Sequence, residues 1–382
     1  MKKKKIAYVT CTRTDYGLML PVLQAVQNSP ELELKLYYSG LHLMKKFGNT
    51  QAMVKKDFPA AKLVKGTFKS DNRFGVTEFI GTFIKNLAAS FAADRPDFVL
   101  NIGDRPEVLA IATVCVYLGI PSGHLHGGDK SSTVDEIARH AITKLSHLHF
   151  PATKDAATRI KKMGEEPWRI HVCGAPALDY IMQEKLLTRK ELCADLHLDP
   201  KSQFILILQH PASENYSQSG EQMRQTIAAA KTFKLPIVII YPNGDPGSRA
   251  MINIIQKEKD NSLFRIFTNL EYKKFLTLEK EAAVWLSNSS AAMIESSSFK
   301  TPVVNIGNRQ DGRLHGNNVI HAACKKDEIM KAIEKSLFDK TYLKSLKTIK
   351  NPWGQGKAGK RIAQILAEIE LNQELLYKKI TF

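Results

Sequence analysis

The sequence predicts an α/β protein of two domains, each built on a parallel sheet. Three observations carry that expectation. The chain has 382 residues, more than one hydrophobic core usually organises. Apolar, β-rich runs alternate with helix-period segments in two successive series, as βαβ units require. Between the two series lies a charged, helix-leaning stretch from Gln183 to Pro200.

The first series reads Lys5 to Thr10, Leu34 to Tyr38, Phe98 to Ile102, Ile120 to Leu125, Leu148 to Phe150 and Ile170 to Val172. Val108, Ile111, Ala112, Cys115 and Leu118 mark one face of a helix inside it, and Val134, Ile137, Ala138, Ala141 and Leu145 mark another. The second series reads Phe204 to Leu208, Leu235 to Tyr241, Leu263 to Phe267, Val284 to Ser287 and Val303 to Ile306. After Asn351-Pro352-Trp353-Gly354, Lys357 to Lys378 reads as one long terminal helix. The expected domains are therefore 1–182 and 183–356, followed by a terminal helix over 357–382.

Composition narrows the function. No uncharged apolar stretch approaches the ~20 residues of a membrane span, and the lysine-rich start runs into polar residues before any signal-peptide core forms. Five scattered cysteines without CxxC spacing indicate neither a disulfide framework nor a zinc site. A cytoplasmic enzyme is expected. The net charge of +17 has no nucleic-acid motif beside it, so it reads as a basic surface that draws in anionic substrates. Neither nucleic acid nor membrane is expected as a partner.

Two strand-end signatures carry chemistry. Asn101-Ile102-Gly103-Asp104-Arg105 puts a carboxylate and a guanidinium where a strand hands over to a helix. Ser287-Asn288-Ser289-Ser290, with Glu295 further on, puts hydroxyls at a helix start suited to a diphosphate and a carboxylate suited to ribose. His124-Leu125-His126-Gly127-Gly128-Asp129 closes another strand, and Asp135/Arg139 and Glu136/His140 are spaced one helical turn apart. Asp104, His126, Asp129 and Asp135 are then the candidates for acid and base work, since crowded carboxylates and imidazoles shift one another's pKa values. His210, Asn243, Arg309 and Arg313 follow strands of the second series as candidate nucleotide contacts.

From Thr12-Arg13-Thr14-Asp15-Tyr16-Gly17 through Gly40-Leu41-His42-Leu43, Gly103-Asp104-Arg105, His126-Gly127-Gly128, Arg139-His140-Ala141-Ile142-Thr143-Lys144, Gln209-His210-Pro211 and Asn288-Ser289-Ser290 to Asn305-Ile306-Gly307-Asn308-Arg309-Gln310, the chain resembles the hydrolysing UDP-N-acetylglucosamine 2-epimerases. The resemblance implies a GT-B fold, with two Rossmann-like domains facing across a cleft and the terminal helix returning to the first. It implies nucleotide contacts at Arg13, Arg105, His210, Asn243, Ser289, Ser290, Glu295 and Arg309, and catalytic roles for Asp104 and Asp135. His42, Arg139 and His140, which stand in its motifs, are expected at the sugar. His126 stands where some members carry glutamate, and Asp129 is one methylene shorter than the glutamate of many members.

The expected reaction converts UDP-N-acetylglucosamine to N-acetylmannosamine and UDP, through loss of UDP, a 2-acetamidoglucal and addition of water, as in sialic acid synthesis. The scheme calls for neither a cofactor nor a metal. Alternatives are a UDP-linked 2,4-diacetamido trideoxy sugar or a GDP-linked amino sugar, as in legionaminic-type pathways, and, from another class, a GT-B glycosyltransferase. Relatives commonly form homodimers or homotetramers.

Overall fold

The computed structural model describes residues 3–45, 50–68, 73–131, 135–183, 186–212, 216–242 and 247–381. The chain divides into two compact units. The first comprises Met1–Asp129, Val134–Tyr180 and Gly354–Phe382, and the second Lys130–Thr133 and Ile181–Trp353.

In the first unit β1 (Lys4–Thr10), β2 (Leu32–Tyr38), β3 (Lys62–Leu63), β4 (Phe98–Ile102), β5 (Ser122–Leu125) and β6 (Leu148–Phe150) lie in the order β3-β2-β1-β4-β5-β6. Every neighbouring pair is parallel. β4, β5 and β6 are buried along their whole length, as a sheet covered on both faces requires. The expected strand at Ile170 to Val172 forms only a single bridge, His149 to Ile170. It follows a short 3-10 turn over Pro167–Arg169, which leaves the chain little length to run beside β6.

In the second unit β7 (Ile205–Leu208), β8 (Ile237–Ile240), β9 (Phe264–Phe267), β10 (Val284–Ser287), β11 (Val303–Ile306) and β12 (Val319–Ala322) lie in the order β12-β11-β10-β7-β8-β9, again all parallel. Counted from its own first strand, this is the order of the first sheet. Both are doubly wound Rossmann-like sheets. The winding direction reverses between β1 and β4 and between β7 and β10. At such a point the helices that follow the two strands leave to opposite faces, which opens a crevice at the carboxyl ends.

The end of the chain completes the first unit. Ile362, Ala363 and Leu366, on the helix Ala358–Glu368, and Leu375 join a core that includes Met19, Val22 and Leu23 of the helix Arg13–Gln27. Gly359 makes the approach possible, because a Cβ there would lie 2.6 Å from the Pro21 carbonyl oxygen. The expected single helix over Lys357 to Lys378 is in fact two, Ala358–Glu368 and Gln373–Leu376. Lys4 Nζ donates to the Ala367 and Ile369 carbonyls, both at 2.6 Å, and so satisfies the end of the first. The side chain of Asn372 then accepts from Leu375 N at 2.9 Å and starts the second.

Asp179 fastens the other end. Its carboxylate accepts from Ala358 N and Gly359 N, each at 2.7 Å, at the positive end of the helix. Asp179→Ala is therefore expected to cost about 2 kcal/mol, because two buried N–H groups lose their acceptor. A lowered midpoint of urea unfolding measures it, with Asp179→Asn showing a smaller drop. Among the described residues no helix is long and apolar enough to cross a membrane.

Candidate functional site

In the first unit the turn after β1 is built on a capping box. Thr12 caps the helix Arg13–Gln27, and Asp15 returns a carboxylate to Cys11 N at 3.0 Å and Thr12 N at 2.9 Å. Burial raises the Asp15 carboxyl to about 6. His42 is fully buried between Thr10 Oγ1 at 2.9 Å and Thr50 Oγ1 at 2.7 Å. Burial lowers it to about 4, so a neutral ring supports the turn, and both its nitrogens are already engaged. Arg13, the first residue of the helix, lies exposed.

β4 delivers the second loop. Gly103 takes a left-handed φ of 76°, Asp104 follows, and Arg105 caps the helix Pro106–Tyr117. Arg105 binds Glu107 through two bonds, Nε to Oε2 at 3.2 Å and Nη2 to Oε1 at 3.1 Å. Burial works against the guanidinium charge, but Glu107 and then Asp15 outweigh it and keep Arg105 protonated. The Asn101 side chain finds no hydrogen-bond partner among the described residues, and it lines a cavity of about 10 Å³ together with Asp15, Arg105 and Glu107.

β5 supplies the third loop. His124 Nε2 meets the Gly103 carbonyl at 2.7 Å and ties this strand to the Asp104 loop. His126 adopts a left-handed φ of 60°, which turns its Nδ1 onto Asp129 Oδ2 at 2.9 Å. The next glycine but one, Gly128, is also left-handed, and a Cβ there would lie 2.4 Å from the Ala156 carbonyl oxygen. The helix Asp135–Leu145 then brings in Arg139, which is buried. Its Nη2 holds the Asp104 carboxylate and its Nη1 donates to the Asp129 carbonyl at 2.7 Å.

One guanidinium thus ties together the two loops that carry Asp104, His126 and Asp129. Asp104, His126 and Asp129 stand together around Arg139, and Asp135 begins the helix one turn before it. Asp129 is itself buried, which suits it to orienting the imidazole. His140 lies 3.5 Å from Glu136, an ion-pair spacing on the half-exposed side of the same helix.

In the second unit the switch point is held by Asn288. Its Oδ1 accepts from His210 N at 2.7 Å and its Nδ2 donates to the His210 carbonyl at 2.8 Å, which locks the ends of β7 and β10 together. Its own carbonyl accepts from Arg309 Nη1 at 3.1 Å and from Gln310 Nε2 at 2.9 Å. A third strand end, that of β11, is drawn in by these two bonds. Burial, with the Arg309 charge beside it, lowers His210 to about 3, so the ring is neutral.

Ser289 caps the helix Ser290–Ile294 by accepting from Ala291 N at 3.3 Å. That helix stops at Glu295, and a second short one runs over Ser296–Phe299. Glu295 sits in the joint, buried, against Glu279 of the helix Tyr272–Glu281. Arg313 Nε donates to the Lys130 carbonyl at 3.2 Å. Asn243 lies outside the described residues. No group of three or more His, Cys, Asp or Glu that could hold a metal occurs among the described residues.

Four contributors escape the sequence reading. Asp15 was within reach, since it stands three residues after Thr12 in capping-box spacing. Glu107 is two residues from Arg105, but nothing in the pattern says that the pair closes. Gln310 stands in the motif without a role. Glu279, in Leu278-Glu279-Lys280-Glu281, looks like one charge on a solvated face.

Comparison with known proteins agrees with this architecture. Residues 24–367 match the family model described as UDP-N-acetylglucosamine 2-epimerase. The chain is 36% identical over 376 residues, 98% of each protein, to a UDP-N,N'-diacetylbacillosamine 2-epimerase (hydrolyzing) of Legionella pneumophila. It is 31% identical over 324 residues, 84% of each, to a GDP/UDP-N,N'-diacetylbacillosamine 2-epimerase (hydrolyzing) of Campylobacter jejuni. The crystal structure of UDP-GlcNAc 2-epimerase from Neisseria meningitidis bound to UDP-GlcNAc has the same fold, with a TM-score of 0.82 at 21% identity over 96% of this chain and 100% of that one. Two Rossmann-like sheets with matching strand order and a match across most of the length lead to one assignment: the chain belongs to the UDP-N-acetylglucosamine 2-epimerase family.

Proposed function

We propose that the chain is a hydrolysing 2-epimerase of a UDP-linked 2-acetamido sugar, releasing UDP and the free sugar inverted at C2. The observation that carries this reading is the Arg139 cluster, which gathers Asp104 and the His126–Asp129 pair at the carboxyl ends of β4 and β5. A protein that only bound a nucleotide would have no use for such a set.

The C2 hydrogen is not beside a carbonyl, so it becomes acidic only as the C1–O bond breaks. The electrons of that bond leave with UDP. Ser289, Ser290 and Arg309 are assigned to the negative charge that develops there. Removal of the C2 proton gives a 2-acetamidoglucal. Water then adds its hydroxyl to C1 while a proton returns to C2 on the opposite face. Base and acid are drawn from Asp104, His126 and Asp135, and Asp129 orients His126.

The preferred sugar is read as 2,4-diacetamido-trideoxy, because the relative at 36% identity and one of two at 31% are named for N,N'-diacetylbacillosamine, the other being named for UDP-N-acetylglucosamine. N-acetylglucosamine, the expectation from sequence, is the second reading, favoured by the family description. Each donor is incubated with the protein in deuterated water, and the released sugar is read by NMR. The expected result is deuterium at C2 of the 2-epimer, with faster turnover of the diacetamido donor. Release of unlabelled, uninverted sugar overturns the epimerase reading. Faster turnover of UDP-N-acetylglucosamine overturns the substrate order alone.

A further inference from the structure

Glu279 and Glu295 form the most deeply buried acidic pair in the second unit, with relative exposures of 0% and 3%. Among the described residues no N–H or hydroxyl donor meets either oxygen of Glu279 or Oε2 of Glu295. Two carboxylates do not share a dry site unless a proton lies between them. Burial, and then the charge of Glu295, raises Glu279 well above the carboxylate range, while burial raises Glu295 less, because a hydrogen bond from Glu279 opposes it. The charged neighbours on the same helix are engaged elsewhere: Glu281 pairs with Arg189 at 3.2 Å and lies 4.0 Å from Lys280. Across the joint, Lys300 donates to the Lys347 carbonyl.

We propose that Glu279 is a positioning residue: as a carboxylic acid it donates a hydrogen bond to Glu295 and so holds that side chain ready to accept from the ribose hydroxyls of the nucleotide. The inference rests on the nucleotide-sugar reading above, with Glu295 as the ribose acceptor. It assigns to Glu279, which is fully buried, a share in recognising ribose. Its backbone is fixed for the task, since the Glu279 carbonyl accepts from Thr301 Oγ1 at 2.8 Å.

The sign of the pH dependence follows. Burial holds the Glu295 carboxyl above the ordinary carboxylate range, and only its ionised form accepts from both hydroxyls. Preference for UDP over 2′-deoxy-UDP therefore grows as pH rises through that raised range. The deoxy nucleotide carries the same diphosphate, so the ratio cancels the ionisation of the ligand itself.

The experiment is calorimetric titration of UDP and 2′-deoxy-UDP into the full chain and into Glu279→Met and Glu279→Gln, from about pH 6 to about pH 8.5. Methionine matches the volume and removes the donor. In Glu279→Met the preference for UDP is expected to fall about tenfold near neutrality, the loss of one hydrogen bond to a charged group. It returns only at higher pH. Glu279→Gln keeps a donor and is expected to keep the preference within about twofold. The proposal is overturned if Glu279→Met discriminates like the unaltered protein, if it loses both nucleotides equally, or if Glu279→Gln loses the preference. If the unaltered protein binds neither nucleotide, the functional reading falls. If it binds and turns over but ignores Glu279, only this inference falls.

Discussion

Asp104→Asn is expected to lower kcat by about 10²- to 10⁴-fold, the usual contribution of a positioned acid or base. UDP affinity is expected to stay within about threefold, because the amide keeps the shape of the loop and one oxygen for Arg139. The split between the two readouts is the informative part. A residue needed only to shape the loop would weaken binding and turnover together, whereas a proton-transfer group affects turnover alone. Single-turnover release of UDP, deuterium incorporation at C2 and titration with UDP supply the comparison. Turnover within about tenfold of the unaltered protein would move the proton transfer to His126 or Asp135.

Glu165→Ala is expected to destabilise the first unit by about 3 to 5 kcal/mol, since it strips a buried acid from three cationic or donor groups at once. Glu165 meets Lys144 Nζ at 2.6 Å, Lys378 Nζ at 2.8 Å and His149 Nε2 at 2.9 Å. Arg169 reinforces the same corner, donating to the Leu375 and Glu374 carbonyls at 2.8 and 2.7 Å. Burial alone would raise the Glu165 carboxyl, but the hydrogen bond from His149 and then the lysines outweigh it and bring it down to about 2. His149 is itself lowered to about 4 by burial, so at neutral pH it takes part as an uncharged N–H donor. The Glu165 pKa is lower folded than unfolded. Its stabilisation is therefore full above the ordinary value of 4.5 and is lost as pH falls from there towards 2. Urea titration at neutral pH and again near pH 3 checks this, and the difference between the unaltered protein and Glu165→Ala must shrink at the lower pH.

Much of this molecule is legible from its sequence, for a definite reason. Strands such as Val99 and Leu100 in β4, or Ile205 to Leu208 in β7, are covered on both faces, so they appear as unbroken apolar runs. β3, two exposed residues, has no such signature. The break in the terminal helix depends on Lys4, more than 360 positions away in the chain, and no local pattern carries it. At the site, strand ends locate Asp104, His126 and Ser289, because parallel sheets place loops there. The spacing of Asp135 and Arg139 shows one helical turn but not that the guanidinium reaches Asp104, 35 residues earlier. Glu279 is the extreme case, its role visible only once the joint at Glu295 is folded.

The first unit's core holds Ile362, Leu366 and Leu375 beside Met19 and Leu23, with the whole second unit intervening in the chain. During translation the ribosome therefore releases an N-terminal half whose apolar helix face has no cover until residues 358–375 have been made. The second unit, contiguous apart from one short segment, has every strand of its sheet available sooner. Vectorial synthesis thus reverses the order of maturation: the later-made lobe can finish folding first, and the earlier-made one needs shielding from aggregation while it waits.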